Sequence, residues 1–213
     1  MFENREDAAI QLAARLEKYK DKEGVVLAIP RGGVPIGCIL AKSLGYPLDL
    51  VLSKKIGHPM NREFAIGFVN MYGEEINYTQ NVSEKYIAEE VARIRKLLFD
   101  RYELYMNGRP PISFKNKIVI ITDDGIATGS TILSSIDIVK REHPKKIVVA
   151  VPVGFPRIIS KLKEEVDEVI CLQTSDDFYA IGQFYEDFRQ LDDNEVIELM
   201  ETMDTNAIHY EGS

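Results

Sequence analysis

The sequence predicts an α/β fold: an open, mainly parallel sheet with helices on both faces, followed by a C-terminal segment of different character. Three observations predict it. Short apolar, β-branched runs recur at 25–29, 47–52, 118–122, 146–153 and 168–172, unbroken by the polar alternation of a half-exposed strand. Stretches with helical periodicity separate most of these runs. Glycine or aspartate pairs close the runs at 29 and 122, the edge where open α/β sheets carry their binding loops. The 213 residues, 45% of them apolar, suffice for one substantial core. No repeat, low-complexity tract or linker divides them, so a single domain over 1–213 is expected, with its core at about 25–172.

Charge and cysteine usage narrow the function classes. A net charge of −8 and a pI near 5.0 argue against nucleic acid as a partner. Cys38 and Cys171 lie in apolar neighbourhoods and read as buried, reduced thiols. No Cys/His cluster has zinc-ligand spacing. The opening Met-Phe-Glu-Asn-Arg-Glu-Asp does not read as a signal peptide, and no apolar run approaches the roughly 20 residues of a membrane span. A cytoplasmic protein without membrane contact is the expectation.

The elements follow in order. Residues 3–19 read as an amphipathic helix, with Ile10, Leu12, Ala13, Ala14 and Leu16 among charges. After a polar break comes the strand at 25–29. Pro30 and the Gly32–Gly33 pair end it sharply, offering the Arg31 cation and two unhindered backbone amides, and a helix over 34–44 closes at Gly45. The strand at 47–52 ends in Ser53-Lys54-Lys55, where side-chain alternation lets only one lysine point inward. Residues 56–62 read as loop. Residues 63–70 and 75–78 read as a hairpin turning at Tyr72-Gly73-Glu74. Ser83 caps a long helix that ends before Gly108 and Pro110-Pro111. Its stripe of Ile87, Val91, Ile94, Leu97, Leu98, Tyr102 and Tyr105 fits period 3.6. Arg93, Arg95, Lys96 and Arg101 mix with Glu89, Glu90 and Asp100 on an exposed, ion-paired face. The length of this helix suggests that it packs on a second copy of the chain, so a homodimer is expected.

Strand 118–122 leads into Asp123, Asp124 and a small, hydroxyl-rich loop that opens a helix over 129–141. Strand 146–153, helix 155–165 and strand 168–172 complete the core. Residues 173–191 change character: Phe178, Tyr179, Ile181 and Phe184 stand among Asp and Gly. The rings either stack on a planar ligand or, with Phe188, fasten the tail to the core. A helix over 193–203, capped by Asp192 or Asp193, and a frayed tail from Asn206 end the chain.

A strand, loop and helix of the kind at 117–131 aims backbone amides and a helix N-terminus at the loop, an arrangement suited to phosphate. No lysine follows the glycine as in a Walker loop, and no Gly-x-Gly-x-x-Gly is present. The stretch resembles the 5-phosphoribosyl diphosphate (PRPP) signature of type I phosphoribosyltransferases: an apolar strand, two acids, a short variable segment, then Thr-Gly and a hydroxyl residue. Arg31 to Gly37 (Arg-Gly-Gly-Val-Pro-Ile-Gly), Pro47 to Leu50, Lys54 to Pro59 and Glu63 to Gly67 further resemble a group of bacterial and archaeal phosphoribosyltransferases with no assigned acceptor. The resemblance runs from about Val25 to Leu191.

That resemblance implies a division of labour. Asp123 and Asp124 would serve the ribose hydroxyls and, through water, a Mg²⁺ ion. Gly125, Ile126, Ala127, Thr128, Gly129, Ser130 and Thr131 would hold the ribose and 5′-phosphate. Arg31, Gly32, Gly33 and either Lys54 or Lys55 would meet the diphosphate. The region 56–78 would carry a mobile loop, with His58, Arg62 and Glu63 as acid, base or leaving-group candidates. Asp123, Asp124, Arg62 and Glu63 are thus the candidates for catalytic roles. Residues 173–191 would form a small C-terminal hood, as type I enzymes carry there, whose Phe178, Tyr179, Ile181 and Phe184 would face a small base-like acceptor. The implied reaction is displacement of pyrophosphate from the anomeric carbon by a nitrogen nucleophile. The 6-oxopurine enzymes usually place an Asp three residues after the second acid; Ala127 stands there, which weighs against hypoxanthine or guanine. The alternative is a non-catalytic PRPP- or nucleotide-sensing regulator on the same fold.

Overall fold

The computed structural model describes residues 1–71, 73–77 and 81–207. Its centre is a five-stranded, all-parallel sheet in the order β2-β1-β6-β7-β8. These strands are β1 (Gly24–Ala28), β2 (Leu48–Leu50), β6 (Ile118–Thr122), β7 (Lys146–Gly154) and β8 (Glu168–Thr174). The intervening strands β3 (Ser53–His58), β4 (Asn61–Asn70) and β5 (Glu74–Ile76) form a separate antiparallel sheet. Among the described residues there are six α-helices: α1 (Arg5–Leu16), α2 (Gly33–Leu44), α3 (Glu84–Met106), α4 (Ser130–Arg141), α5 (Pro156–Glu165) and α6 (Asp193–Ala207).

The unbroken apolar runs are explained by burial on two faces. On β1, Val26 and Ala28 face one cluster while Val25 and Leu27 face another; Ile120 and Val119 do the same on β6. The first cluster takes Leu12 and Leu16 of α1, Leu40 of α2, Ile94 of α3 and Met200 of α6. The second takes Ile136 of α4 and Leu162 of α5. Register then positions the loops. Ala28 stands level with Leu50 and Thr122, and Thr122 with Ala150. The segments leaving β1, β2, β6 and β7 therefore emerge along one edge.

The central strands and helices α2 to α5 fall within a residue or two of the sequence expectation, while α1 is shorter than the expected 3–19, whose last three residues form a 3-10 turn over Glu17–Tyr19. Residues 56–62 depart further. Expected as loop, they are the end of β3, a two-residue turn and the start of β4. Ile56 is fully buried in the α3-side cluster, which draws the segment onto the protein. A Cβ on Gly57 would lie 2.6 Å from the Arg62 carbonyl, so glycine is what lets the two strands close. His58 then shapes the turn, its Nδ1 accepting the Met60 amide at 3.1 Å. The expected hairpin is present as β4 and β5, with Asn70 Oδ1 accepting the Gly73 amide at 2.7 Å. Tyr72 and Tyr78 of that hairpin lie outside the described residues.

Helix α3 runs as the cap and breakers predict, with Ser83 Oγ accepting the Tyr86 amide. Its stripe is corrected at Leu97, which is 39% exposed, on the same side as the still more exposed Leu104. Asp49 of β2 fastens this helix to the sheet. Wholly buried, it accepts hydrogen bonds from the Tyr102 hydroxyl at 2.7 Å and the Ile112 amide at 2.8 Å. Helix α6 is capped by Asp192, which accepts the Glu195 amide, and it extends to Ala207 beyond the expected end at 203. Of the tail expected to fray, residues 208–213 lie outside the described residues. Among the described residues no helix is long and apolar enough to cross a membrane.

Candidate active site

The stretch 123–131 leaves the sheet between β6 and β7. Ile126 turns inward, 3% exposed, and its amide bonds the Val153 carbonyl at 2.9 Å. Gly125 is pinned beneath Ile181 and Val153, either of which would stand 2.6 Å from a Cβ. These two residues anchor the loop. The exposed turn begins at Ala127 and Thr128. Gly129 has φ +74°, a conformation that favours glycine, and reverses the chain into α4. The first-turn amides of α4, at Ser130 and Thr131, have no carbonyl of their own helix to bond. Amides, hydroxyls and the positive end of the helix dipole therefore face outward together, a donor set suited to a phosphate.

The loop at 30–33 lies directly against this stretch. Its Pro30–Arg31 peptide is cis. A Cβ on Gly32 would fall 1.9 Å from Asp124 Oδ2, and one on Gly33 would fall 2.8 Å from the Thr122 carbonyl. The two glycines are thus required by loop-on-loop packing. Arg31 sits 3.5 Å from Asp193 at the start of α6, about one-third exposed. Asp193 also accepts the Tyr105 hydroxyl at 2.5 Å and lies 3.8 Å from Arg101, so the loop is tied to α3 as well as to α6.

The paired carboxylates differ in surroundings. Asp123 is half-buried and its Oδ1 accepts the Asp124 amide at 2.8 Å. Burial and the adjacent Asp124 charge push its carboxyl well above the ordinary range. Asp124 is 7% exposed, and Arg5 grips it: Nε and Nη2 both donate to Oδ2, at 2.9 and 2.7 Å. Burial raises the Asp124 carboxyl while the Arg5 charge and hydrogen bonds oppose that rise. The Tyr185 hydroxyl donates to the Asp124 carbonyl at 2.6 Å.

Strand alternation separates Lys54 from Lys55. Ser53 bonds Ser134 of α4, so Lys55, two residues on, shares the α4 side of the small sheet. Lys54 shares the α3 side with buried Ile56, and together with Arg62 its charge reaches Glu90 of α3. Glu63 pairs with Lys55 at 2.9 Å. Of the candidate acid–base residues, Glu63 is thus brought to Lys55 and Arg62 to the opposite side.

The hood is a small satellite core. Phe178 packs between Phe155 and Phe184, with ring centroids 6.1 and 5.3 Å away. Ile181 covers Gly125, while Tyr179 is 89% exposed. Phe178, Ile181 and Phe184 therefore act at least as packing residues, and Tyr179 is the one large exposed side chain of the four. The N-terminal segment completes the hood: the Phe2 amide donates to the Phe184 carbonyl and the Glu186 amide to the Phe2 carbonyl, each at 2.8 Å. Sequence reading missed Arg5, Tyr185 and Asp193 as neighbours of the site. Arg5 meets Asp124 across 119 residues, and nothing local in the opening helix signals that meeting.

Among the described residues no group of three or more His, Cys, Asp and Glu side chains is placed to hold a metal ion. The carboxylate pair suits instead a hydrated Mg²⁺ that brings water and ligand phosphates as most of its own coordination.

Comparison with known proteins is consistent with this geometry. The family model described as phosphoribosyl transferase domain matches residues 2–189. Two strains of Mycobacterium tuberculosis contribute relatives named "Putative phosphoribosyl transferase", 37% identical over 206 residues. The match covers 94% of this chain and 46% of theirs, so the chain spans about half the length of these curated relatives. The crystal structure of the protein TT1426 from Thermus thermophilus superposes with a TM-score of 0.81 at 36% identity, covering 93% of this chain and 97% of that one. A hypothetical protein from Neisseria gonorrhoeae, crystallised with bound ppGpp, shares the fold alone, with a TM-score of 0.52 at 16% identity over 93% of this chain and 92% of its own.

Proposed function

The chain belongs to the phosphoribosyl transferase domain family, and we propose on that premise that it transfers the 5-phosphoribosyl group of PRPP to a nitrogen of a small base-like acceptor, releasing pyrophosphate. The observation that carries this reading is the packing of two loops with complementary equipment. The turn at 127–131 offers amides, hydroxyls and a helix N-terminus for a 5′-phosphate. Directly beside it, the loop at 30–33 offers a cation for a diphosphate, held against Asp124 through Gly32.

In this reading the acidic pair at 123–124 meets the ribose side, and Arg31 with Lys55 meets the leaving diphosphate. Mg²⁺, bound through water and the ligand's phosphates, would supply further neutralisation of the leaving group. Bond breaking at the anomeric carbon builds positive charge on the ribose and negative charge on the diphosphate. A carboxylate near the sugar and cations on the leaving group both stabilise that separation more than they stabilise the ground state. No covalent nucleophile is needed. Ala127 in the exposed turn offers no carboxylate to a 6-oxopurine, which directs the search toward other acceptors. A homodimer, with α3 as its contact, belongs to the same proposal: Leu97 and Leu104, seven residues apart, give one side of that helix an exposed apolar strip.

The test is pyrophosphate release from PRPP across a panel of nucleobases and related amines with Mg²⁺ present. Turnover with one of them supports the reading. Tight PRPP binding without turnover on any would replace it with a sensor.

A further inference from the structure

We propose that Asp193 is a positioning residue of this site: from the start of α6 it holds the Arg31 guanidinium by one corner, so that the opposite edge is presented to the diphosphate. The inference rests on the PRPP reading above and adds to it a residue that lies outside both loops.

The carboxylate is the fixed member of the pair. Tyr105, wholly buried in the stripe of α3, donates its hydroxyl to Asp193 Oδ1 at 2.5 Å. Arg101, also on α3, brings Nη2 to 3.8 Å from Oδ2. Asp193 is the first residue of α6, where the positive end of the helix dipole favours a negative charge. Its place is therefore set by two helices, independently of the loop at 30–33.

Arg31 is the member that needs holding. Its backbone is clamped by the packing of Gly32 and Gly33, but its side chain is one-third exposed. Among the described residues Asp193 is its one ion-pair partner, through Nη1 to Oδ1 at 3.5 Å. That distance lets the charge orient the guanidinium while leaving Nε and Nη2 uncommitted. A planar guanidinium gripped at one corner offers its other edge as a two-pronged donor, the geometry that suits phosphate oxygens. An ungripped arginine would give up its rotamer freedom only when the ligand arrives, at a cost in affinity. Asp193 orients Arg31 without cancelling the local charge, because Arg101 stands on the other side of the carboxylate and keeps the cluster net positive.

The experiment measures binding of PRPP with MgCl₂ by calorimetry on the full chain, at a temperature where thermal melts show every variant folded. Asp193→Asn keeps an oxygen for the Tyr105 hydroxyl and removes the charge that faces Arg31. It weakens PRPP binding by about fivefold, the scale of immobilising one arginine side chain. Asp193→Glu, which keeps the charge, retains more affinity than Asp193→Asn. On an Arg31→Ala background Asp193→Asn changes PRPP affinity by less than about twofold, because the group it positions is gone. Ribose 5-phosphate, which lacks the diphosphate, binds wild type and Asp193→Asn alike. Unchanged or tighter PRPP binding by Asp193→Asn overturns the proposal. So does a full fivefold loss that persists on the Arg31→Ala background or extends to ribose 5-phosphate, since either marks a general effect on the fold. Failure of the underlying site reading looks different, because the wild-type chain then binds no PRPP at all.

Discussion

A methyl group placed on Gly32 would stand 1.9 Å from Asp124 Oδ2, closer than any real contact, so the two loops of the site are built against each other with no room for a side chain. Gly32→Ala is expected to cost about 2 kcal/mol, as overpacking at a closed contact does, and to lower PRPP affinity as well. Gly45→Ala is the comparison. Gly45 has φ +70° with nothing within 4 Å of a Cβ, so its cost is about 1 kcal/mol of backbone strain, with PRPP affinity unchanged. Urea denaturation and calorimetry on the two variants check both statements.

Asp49→Ala should be among the most damaging substitutions remote from the loops. It removes the buried oxygens that accept from the Tyr102 hydroxyl and the Ile112 amide, a loss of about 3 kcal/mol in denaturant unfolding. Lys96→Ala, which removes an exposed ion pair with Asp100 on the same helix α3, should cost less than about 0.5 kcal/mol.

Glu168 gives the acid limb of the stability profile. Burial would raise its carboxyl, but hydrogen bonds from Lys18, Tyr19 and Lys146 outweigh that and bring it down to about 2. A depressed folded-state pKa means that the unfolded chain binds the proton first. The stability from Glu168 is therefore complete above pH 5 and lost as pH falls toward 2. After allowance for solvent screening this amounts to about 1–2 kcal/mol. Glu168→Gln should flatten the fall in unfolding free energy between pH 5 and pH 3; an unchanged slope would remove Glu168 from the account.

The hood predicts a split between stability and binding. Phe178→Ala removes a ring packed on Phe155 and Phe184 and should cost about 2 kcal/mol. Tyr179→Ala should leave stability within about 0.5 kcal/mol, since that ring is exposed, and should act only on acceptor KM. A Tyr179→Ala enzyme with unaltered acceptor KM would place the acceptor elsewhere.

The sequence was informative where the chemistry is local. The strand Ile118–Thr122, the turn to Gly129 and the capped helix α3 could all be read from apolar runs, small residues and Ser83, because each depends on neighbours a few residues away. Residues 56–62 misled because Gly57, His58 and Pro59 together read as loop; Pro59 does turn the chain, but that Gly57 and His58 sit in a strand pair depends on Ile56 finding a buried place against α3. The partner of Asp124 was invisible for a similar reason. Arg5 looks like one more charge at the start of an amphipathic helix until the hood folds the N-terminal segment beside residue 124. Arg31 was legible as a loop cation, but its Asp193 partner comes from the last helix, on the far side of the sequence.

The most direct test of the account is calorimetric titration of PRPP with MgCl₂ into the wild-type chain and into Asp123→Asn. The account predicts one saturable site per chain in the wild type and an affinity lower by about 30-fold or more in the variant, with unchanged thermal melts. Equal affinity in the two proteins, or no binding by the wild type, would contradict it.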